Sequence, residues 1–218
     1  MKRLGIYIIS SLFIFQSYLF AYSSNPEKFI SELVNEVIIK LSDKNLNKDD
    51  KANFIKKVAL ENVDINALGL YTLGELRKSS DNQTINNYQQ AFEKYFLKSL
   101  ISRLTDYSSS KFDILDADKK SSNYTIVSSK ITPSDGGPEV KIDWRIYTKN
   151  PDKPLIRDLI VEGLSLARTQ KEEFASILSS NNNDINILIK KLIDFAENLF
   201  GGPTRTRTWD QYIMSVLL

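Results

Sequence analysis

DLIVEGLSLARTQKEEF, Asp158 through Phe174, decides the fold, and the rest of the chain is read outward from it. Leu159, Ile160 and Val161 are apolar on both faces of a strand spanning Leu155 to Glu162. A strand of that kind lies centrally, with layers above and below it. Gly163 turns the chain, and Ser165 is placed to cap the helix that follows. Ala167, Phe174, Ile177 and Leu178 recur at helical spacing and give that helix its buried face. Asn181-Asn182-Asn183 ends it.

The strands that precede it set the sheet type. Val140, Ile142, Trp144 and Ile146 alternate with Lys141, Asp143, Arg145 and Tyr147, the period of a strand with one buried and one wetter face. Before it, Pro133-Ser134-Asp135-Gly136-Gly137-Pro138 is a hairpin signal. A second strand is expected from Tyr124 to Thr132. A first strand begins at Phe112 and Ile114, followed by a loop from Ala117 to Asn123. Asn150-Pro151-Asp152-Lys153-Pro154 makes the turn into Leu155.

Helices flank this block on both sides. Asn25-Pro26 opens the first, with Ile30, Leu33, Val34, Val37, Ile38 and Leu41 forming one stripe. A second runs from about Lys48 to Asn62, with Asp49 and Asp50 in its first turn and Phe54, Ile55 and Val58 on its apolar face. Asp64 caps a third carrying Ile65, Leu68, Tyr71, Leu73 and Leu76. Gly69 and Gly74 interrupt it, so either the helix breaks or bends there, or another backbone or a ligand chain passes close to that face. Ser80 and Gln83 form a capping box for the longest helix, Asp81 to Tyr107, whose stripe is Ile85, Tyr88, Phe92, Tyr95, Phe96, Leu100 and Leu104. A last helix starts near Asp184, bears Ile185, Leu188, Ile189, Leu192, Phe195, Ala196 and Leu199, and stops at Gly201-Gly202-Pro203. Helices, then consecutive hairpin-linked strands, then helices make an α+β fold: a small twisted antiparallel sheet of about four strands with about six helices.

At the N-terminus, Lys2 and Arg3 precede an apolar run from Leu4 to Phe20, then Ala21-Tyr22-Ser23. These are the charged region, apolar region and small-residue site of a secretory signal peptide. Residues 1–23 are therefore expected to be removed, 24–200 to form one domain, and 201–218 to be a C-terminal appendage. The expected location is the periplasm. With no cysteine there are no disulfides and no thiol for a lipid anchor, so the exported domain relies on its core. Without Lys2 and Arg3 the formal charge of +2 falls to about zero, which gives no long-range attraction to nucleic acid.

The chain has no histidine, which removes Ser-His and Cys-His catalysis and HExxH zinc sites. Asp143, Asp158 and Glu162 are the central carboxylates. Asp158 and Glu162 sit four apart on one strand face, about 13 Å by the strand rise, whereas glycosidase pairs lie roughly 5 to 9.5 Å apart. A structural salt bridge to Arg145 or Arg157 is the plainer role. No phosphate loop, dinucleotide fingerprint or metal-ligand spacing is present. No enzyme activity, catalytic residue, metal or cofactor is expected.

Asp158, Val161, Glu162, Gly163, Ser165, Leu166 and Phe174 resemble the MlaC family, the toluene-tolerance or auxiliary transport proteins of the Mla system. Leu73-Gly74 with Arg77, the spacing of Gln83, Phe92, Leu104 and Tyr107, and Asp143-Trp144-Arg145 extend the likeness over about Asn25 to Phe200. Two positions depart from the family pattern: Gln170-Lys171 stands where an aromatic-arginine pair is frequent, and Pro154 where a tryptophan is. The resemblance implies a periplasmic phospholipid carrier that holds acyl tails in an apolar cavity between sheet and helices. It further implies partners: an outer-membrane lipoprotein-porin complex and an inner-membrane MCE-domain ABC transporter, in the maintenance of outer-membrane lipid asymmetry. The carrier is expected to be a monomer with phospholipid as cargo and no other cofactor.

For the pocket, the expected lining is Leu68, Leu73, Tyr88, Phe92, Phe96, Ile142, Trp144, Leu159, Val161, Phe174, Ile177 and Leu178. Two other readings compete with lipid carriage. One is a periplasmic chaperone or adaptor binding unfolded polypeptide in apolar grooves. The other is a carboxylate-based hydrolase.

Overall fold

The computed structural model describes residues 22–104, 110–134 and 136–198. Most of the expected leader, the last turn of the long helix and the 201–218 appendage lie outside them. Among the described residues, seven helices and five strands form an α+β fold. Helix α1 (Pro26–Ser42) is capped by Asn25, whose side chain accepts from the Lys28 amide, with proline in the first turn. Helix α2 (Lys48–Asn62) is capped in the same way by Asn47. Helix α3 (Ile65–Leu73) is capped by Asp64.

Helix α3 stops at Gly74, and the four-residue helix α4 (Leu76–Ser79) follows. The third helix therefore does not run on to Leu76 as expected. Helix α5 (Asn82–Leu104) follows, and its cap also differs from the expected box. Asp81 accepts from the Thr84 amide and hydroxyl, while the Ser80 hydroxyl turns back to the Leu76 carbonyl. A carboxylate at the helix start satisfies the free amides and the dipole together, and Gln83 instead donates to Asn87.

The sheet is an antiparallel meander in sequence order, β1 (Ser110–Ser121), β2 (Tyr124–Pro133), β3 (Val140–Tyr147), β4 (Leu155–Val161) and the two-residue β5 (Leu164–Ser165). Strand β1 continues through the segment expected to be a loop, with Ala117 opposite Val127 and Lys119 opposite Thr125. Its Asp116 to Ser121 stretch is charged because β1 is an edge strand, where lysine and aspartate deter pairing with other chains. Strand β4 bulges between its pairings to Arg145 and Ile146, and Arg157 is the extra residue.

The fifth strand arises from the Glu-Gly turn. Glu162 and Gly163 both have positive φ, 48° and 83°, as a type I′ hairpin requires. That turn reverses β4 onto β5, and Ser165 at its end caps helix α6 (Leu166–Ser179). Asn182 and Asn183, at φ 54° and 57°, then lead into helix α7 (Ile185–Asn198).

Candidate functional site

Two apolar clusters account for the interior, and they share one residue. In the first, Phe29, Ile30, Leu33 and Val34 of α1 lie on the sheet face formed by Val127, Ile142, Trp144, Ile146, Ile156 and Val161. In the second, α3, α5, α6 and α7 pack together through Leu73, Tyr88, Phe92, Phe174, Leu178, Leu188 and Leu192. Val63, at the α2–α3 joint, is partly buried against both. Its backbone also bridges in parallel to Ile156 of β4.

The twelve expected lining residues divide between these clusters. Ile142, Trp144, Leu159 and Val161 belong to the sheet cluster. Leu68, Leu73, Tyr88, Phe92, Phe96, Phe174, Ile177 and Leu178 belong to the helical cluster. Helix α1 covers the sheet face while the later helices pack on one another, and the two groups adjoin at Val63. Two open grooves lie on other surfaces of the described residues. A groove of about 380 Å³ is lined by Asn66, Asn86, Gln89, Gln90, Glu93 and Lys94. A second, of about 280 Å³, runs beside α2 at Lys56, Lys57 and Leu60.

The helical cluster is built on a stacked aromatic column. Phe92 stacks on Tyr88 and on Phe96 with centroids 6.1 Å away in each case, and meets Phe174 edge-on at 6.3 Å. Gly69 makes this possible. A Cβ there would lie 2.9 Å from the Phe92 ring, so α3 can approach α5 only without a side chain at that position. The helix breaks at Gly74, as expected, while at Gly69 it is a side-chain ring, neither a backbone nor a ligand chain, that passes close.

Three side-chain hydrogen bonds tie buried polar groups to neighbouring elements, and none was foreseen. Thr72 donates to the Gly69 carbonyl and accepts the Tyr88 hydroxyl at 2.8 Å. The Trp144 indole donates to Ser129 at 2.8 Å, and Ser129 donates to the Ile142 carbonyl. Tyr95 donates to Gln170 at 2.9 Å across 75 residues of sequence. Ser129 follows the alternation of Thr125, Val127 and Ile131, which is the one signal that would have marked it as inward. Gln170 likewise sits at the helical spacing of Ala167, Phe174 and Ile177.

Burial, with the negative charge of Glu173 second, pushes the Tyr95 phenol up from 10.0 to about 12. Tyr88 is raised as well, by burial. Between pH 10 and 12 the folded chain thus keeps protons that the unfolded chain has lost, so stability falls as pH rises. Below pH 10 both states are protonated and the contribution is intact. Tyr95 alone gives a slope of about 1.4 kcal/mol per pH unit in that window. Tyr95→Phe should flatten the fall in a series of urea titrations from pH 9 to 11.5.

The central carboxylates are structural. Asp158 is 4% exposed, accepts from the Ser165 hydroxyl at 2.6 Å and the Ala167 amide at 3.0 Å, and faces Arg145 at 3.3 Å. Glu162 has left the strand for the turn, where it accepts from the Lys141 amide, so the expected shared strand face with Asp158 does not exist. Arg157 bonds Asp64 at 2.7 Å and lies over the Tyr147 ring at 3.4 Å. No group of three His, Cys, Asp or Glu among the described residues could hold a metal ion.

A family model for the MlaC protein matches residues 31–194, from the middle of α1 to the last turns of α7. The chain belongs to the MlaC family. Both MlaC-like signatures fall on joints of the fold: Glu162-Gly163 on the β4–β5 turn, and Leu73-Gly74 on the end of α3. The backbone is also similar to that of a phospholipid-binding protein from Ralstonia solanacearum, solved in complex with a phospholipid. That pair has a TM-score of 0.67 and 16% identity, over 80% of this chain and 98% of the other. At that identity the likeness establishes the fold. No curated protein matches the sequence.

Proposed function

We propose that this MlaC-family chain is a periplasmic phospholipid carrier. The observation that carries the reading is the family match, which spans every element except the first residues of α1 and the last of α7. The fold shared with a protein solved with a phospholipid bound supports it. The acyl tails insert where the two apolar clusters adjoin, around Val63, with Leu159 and Leu166 on the sheet side and Leu68 on the helical side. The head group stays in water. No catalytic step is assigned to the chain.

The need for a carrier follows from the transfer energy. Each buried methylene is worth about 0.8 kcal/mol, so two chains of about sixteen carbons cost well over ~20 kcal/mol to expose to water. A chain that covers them lets lipid cross an aqueous space without vesicles. The route proposed is between an outer-membrane lipoprotein-porin complex and an inner-membrane MCE-domain ABC transporter, the latter supplying energy. The N-terminal leader, read from the sequence as residues 1–23, is the export signal in this reading.

The test is direct. Mature protein purified without detergent should yield close to one phospholipid per chain on organic extraction, counted by mass spectrometry and phosphorus assay. Lipid-free protein that also takes up none from vesicles would sink the reading.

A further inference from the structure

The small-residue pattern at Ala21-Tyr22-Ser23 places the leader's end after Ser23. The folded domain uses both residues that such a cut removes. Tyr22 packs against the sheet cluster and meets Phe29 edge-on at 6.0 Å. Its hydroxyl donates to Glu36. The Ser23 amide donates to Glu32 at 2.8 Å, and the Ser23 hydroxyl accepts from the Asn25 amide at 3.2 Å. Asn25 is itself the cap of α1. Phe29 is 1% exposed with Tyr22 in place, and losing that ring opens one of its edges to water.

We infer that the leader is removed at the Ala21–Tyr22 bond, so that Tyr22 is the first residue of the working protein. This rests on the export reading given above. Residues that a peptidase discards before folding contribute nothing to the fold. Here a phenol and a serine complete an apolar cluster and a helix cap. The residue before the proposed bond, Ala21, is small, as the adjoining cleavage subsite requires, and the position three before the bond is the aliphatic Leu19. Cutting one residue later would put the bulky Tyr22 in that subsite.

The step is a plain amide hydrolysis. Water adds across the Ala21–Tyr22 bond, leaving a carboxylate on the leader and an ammonium on Tyr22. Electrostatics suit the new charge. Glu32 accepts from the Ser23 amide at 2.8 Å, one residue from the new ammonium. A carboxylate so placed attracts a positive charge.

The full chain, expressed in a Gram-negative host and recovered from the periplasm by osmotic shock, should show an intact mass and N-terminal sequence beginning Tyr22-Ser23-Ser24. A start at Ser24 overturns the inference while leaving export intact. Retention of Met1 in all of the soluble protein overturns both. Two variants add independent readouts. Ser23→Phe blocks a cut after Ser23 but should leave processing at Ala21 unchanged, and its failure to mature counts against the inference. A chain starting at Ser24 should melt about 2–4 °C below one starting at Tyr22, and equal melting counts against it.

Discussion

Replacing Phe92 with alanine should lower the unfolding free energy by about 3–5 kcal/mol, a large share of the ~5–15 kcal/mol typical of a domain. Phe92 is 3% exposed. Its ring touches Tyr88, Tyr95, Phe96 and Phe174 and rests on the bare backbone of Gly69. No neighbour can swing in to fill the space, because α5 holds the flanking rings in register and α3 has no side chain at the contact. The measurement is a urea midpoint at unchanged m-value.

A second substitution tests the geometry behind that number. In the parent chain, Gly69→Ala forces a methyl against the Phe92 ring, which offsets the ~1 kcal/mol that alanine gains over glycine in a helix. In the Phe92→Ala background the clash is gone and the methyl occupies part of the hole. Gly69→Ala should therefore help more in the variant than in the parent. Additive effects would mean that the ring does not sit on the glycine.

Asp158→Ala should cost about 3 kcal/mol. The carboxylate accepts the Ser165 hydroxyl and the Ala167 amide, and each group left buried without a partner costs about 1–3 kcal/mol. Arg145 adds little, since its side chain is 42% exposed and water screens the pair. Asp158→Asn keeps one acceptor oxygen but loses the charge at the start of α6, so about half the loss is expected. Below its lowered melting temperature, Asp158→Ala should still carry phospholipid. A folded variant with no lipid would assign the aspartate a role in the pocket rather than in the joint.

Where one side of an element faced the core, its residues announced it. The stripe from Ile30 to Leu41 and the alternation from Val140 to Tyr147 led to α1 and β3 with correct bounds. Pro133 and Pro138 around the glycines marked the β2–β3 hairpin. The end of β1 was missed because its last residues are charged in alternation with nothing apolar, as an edge strand demands, and such a pattern looks like a loop. The surroundings of the candidate residues were not legible for another reason. Periodicity says which side of Phe92 or Trp144 is buried but not against what, and the division of the twelve between two clusters is set by the tertiary fold. The spacing of Gln170 and Ser129 marks them as inward, but their partners are set by the tertiary fold: Tyr95 lies 75 positions away, and Trp144 lies on the neighbouring strand.

Three polar ties between sheet and helices run through one strand, β4. Ile156 accepts the Asp64 amide, Arg157 holds the Asp64 carboxylate, and Asp158 holds the start of α6. Asp64 and Arg157 are 93 residues apart. During synthesis, five helices and three strands therefore emerge before the segment that fastens them to one another. Until residues 155–167 arrive, those layers can form internally but have no polar register between them. Closing so long a loop is slow and comes late. The nascent chain accordingly spends most of its emergence with two greasy surfaces uncovered, a period in which binding to a holdase chaperone competes with aggregation.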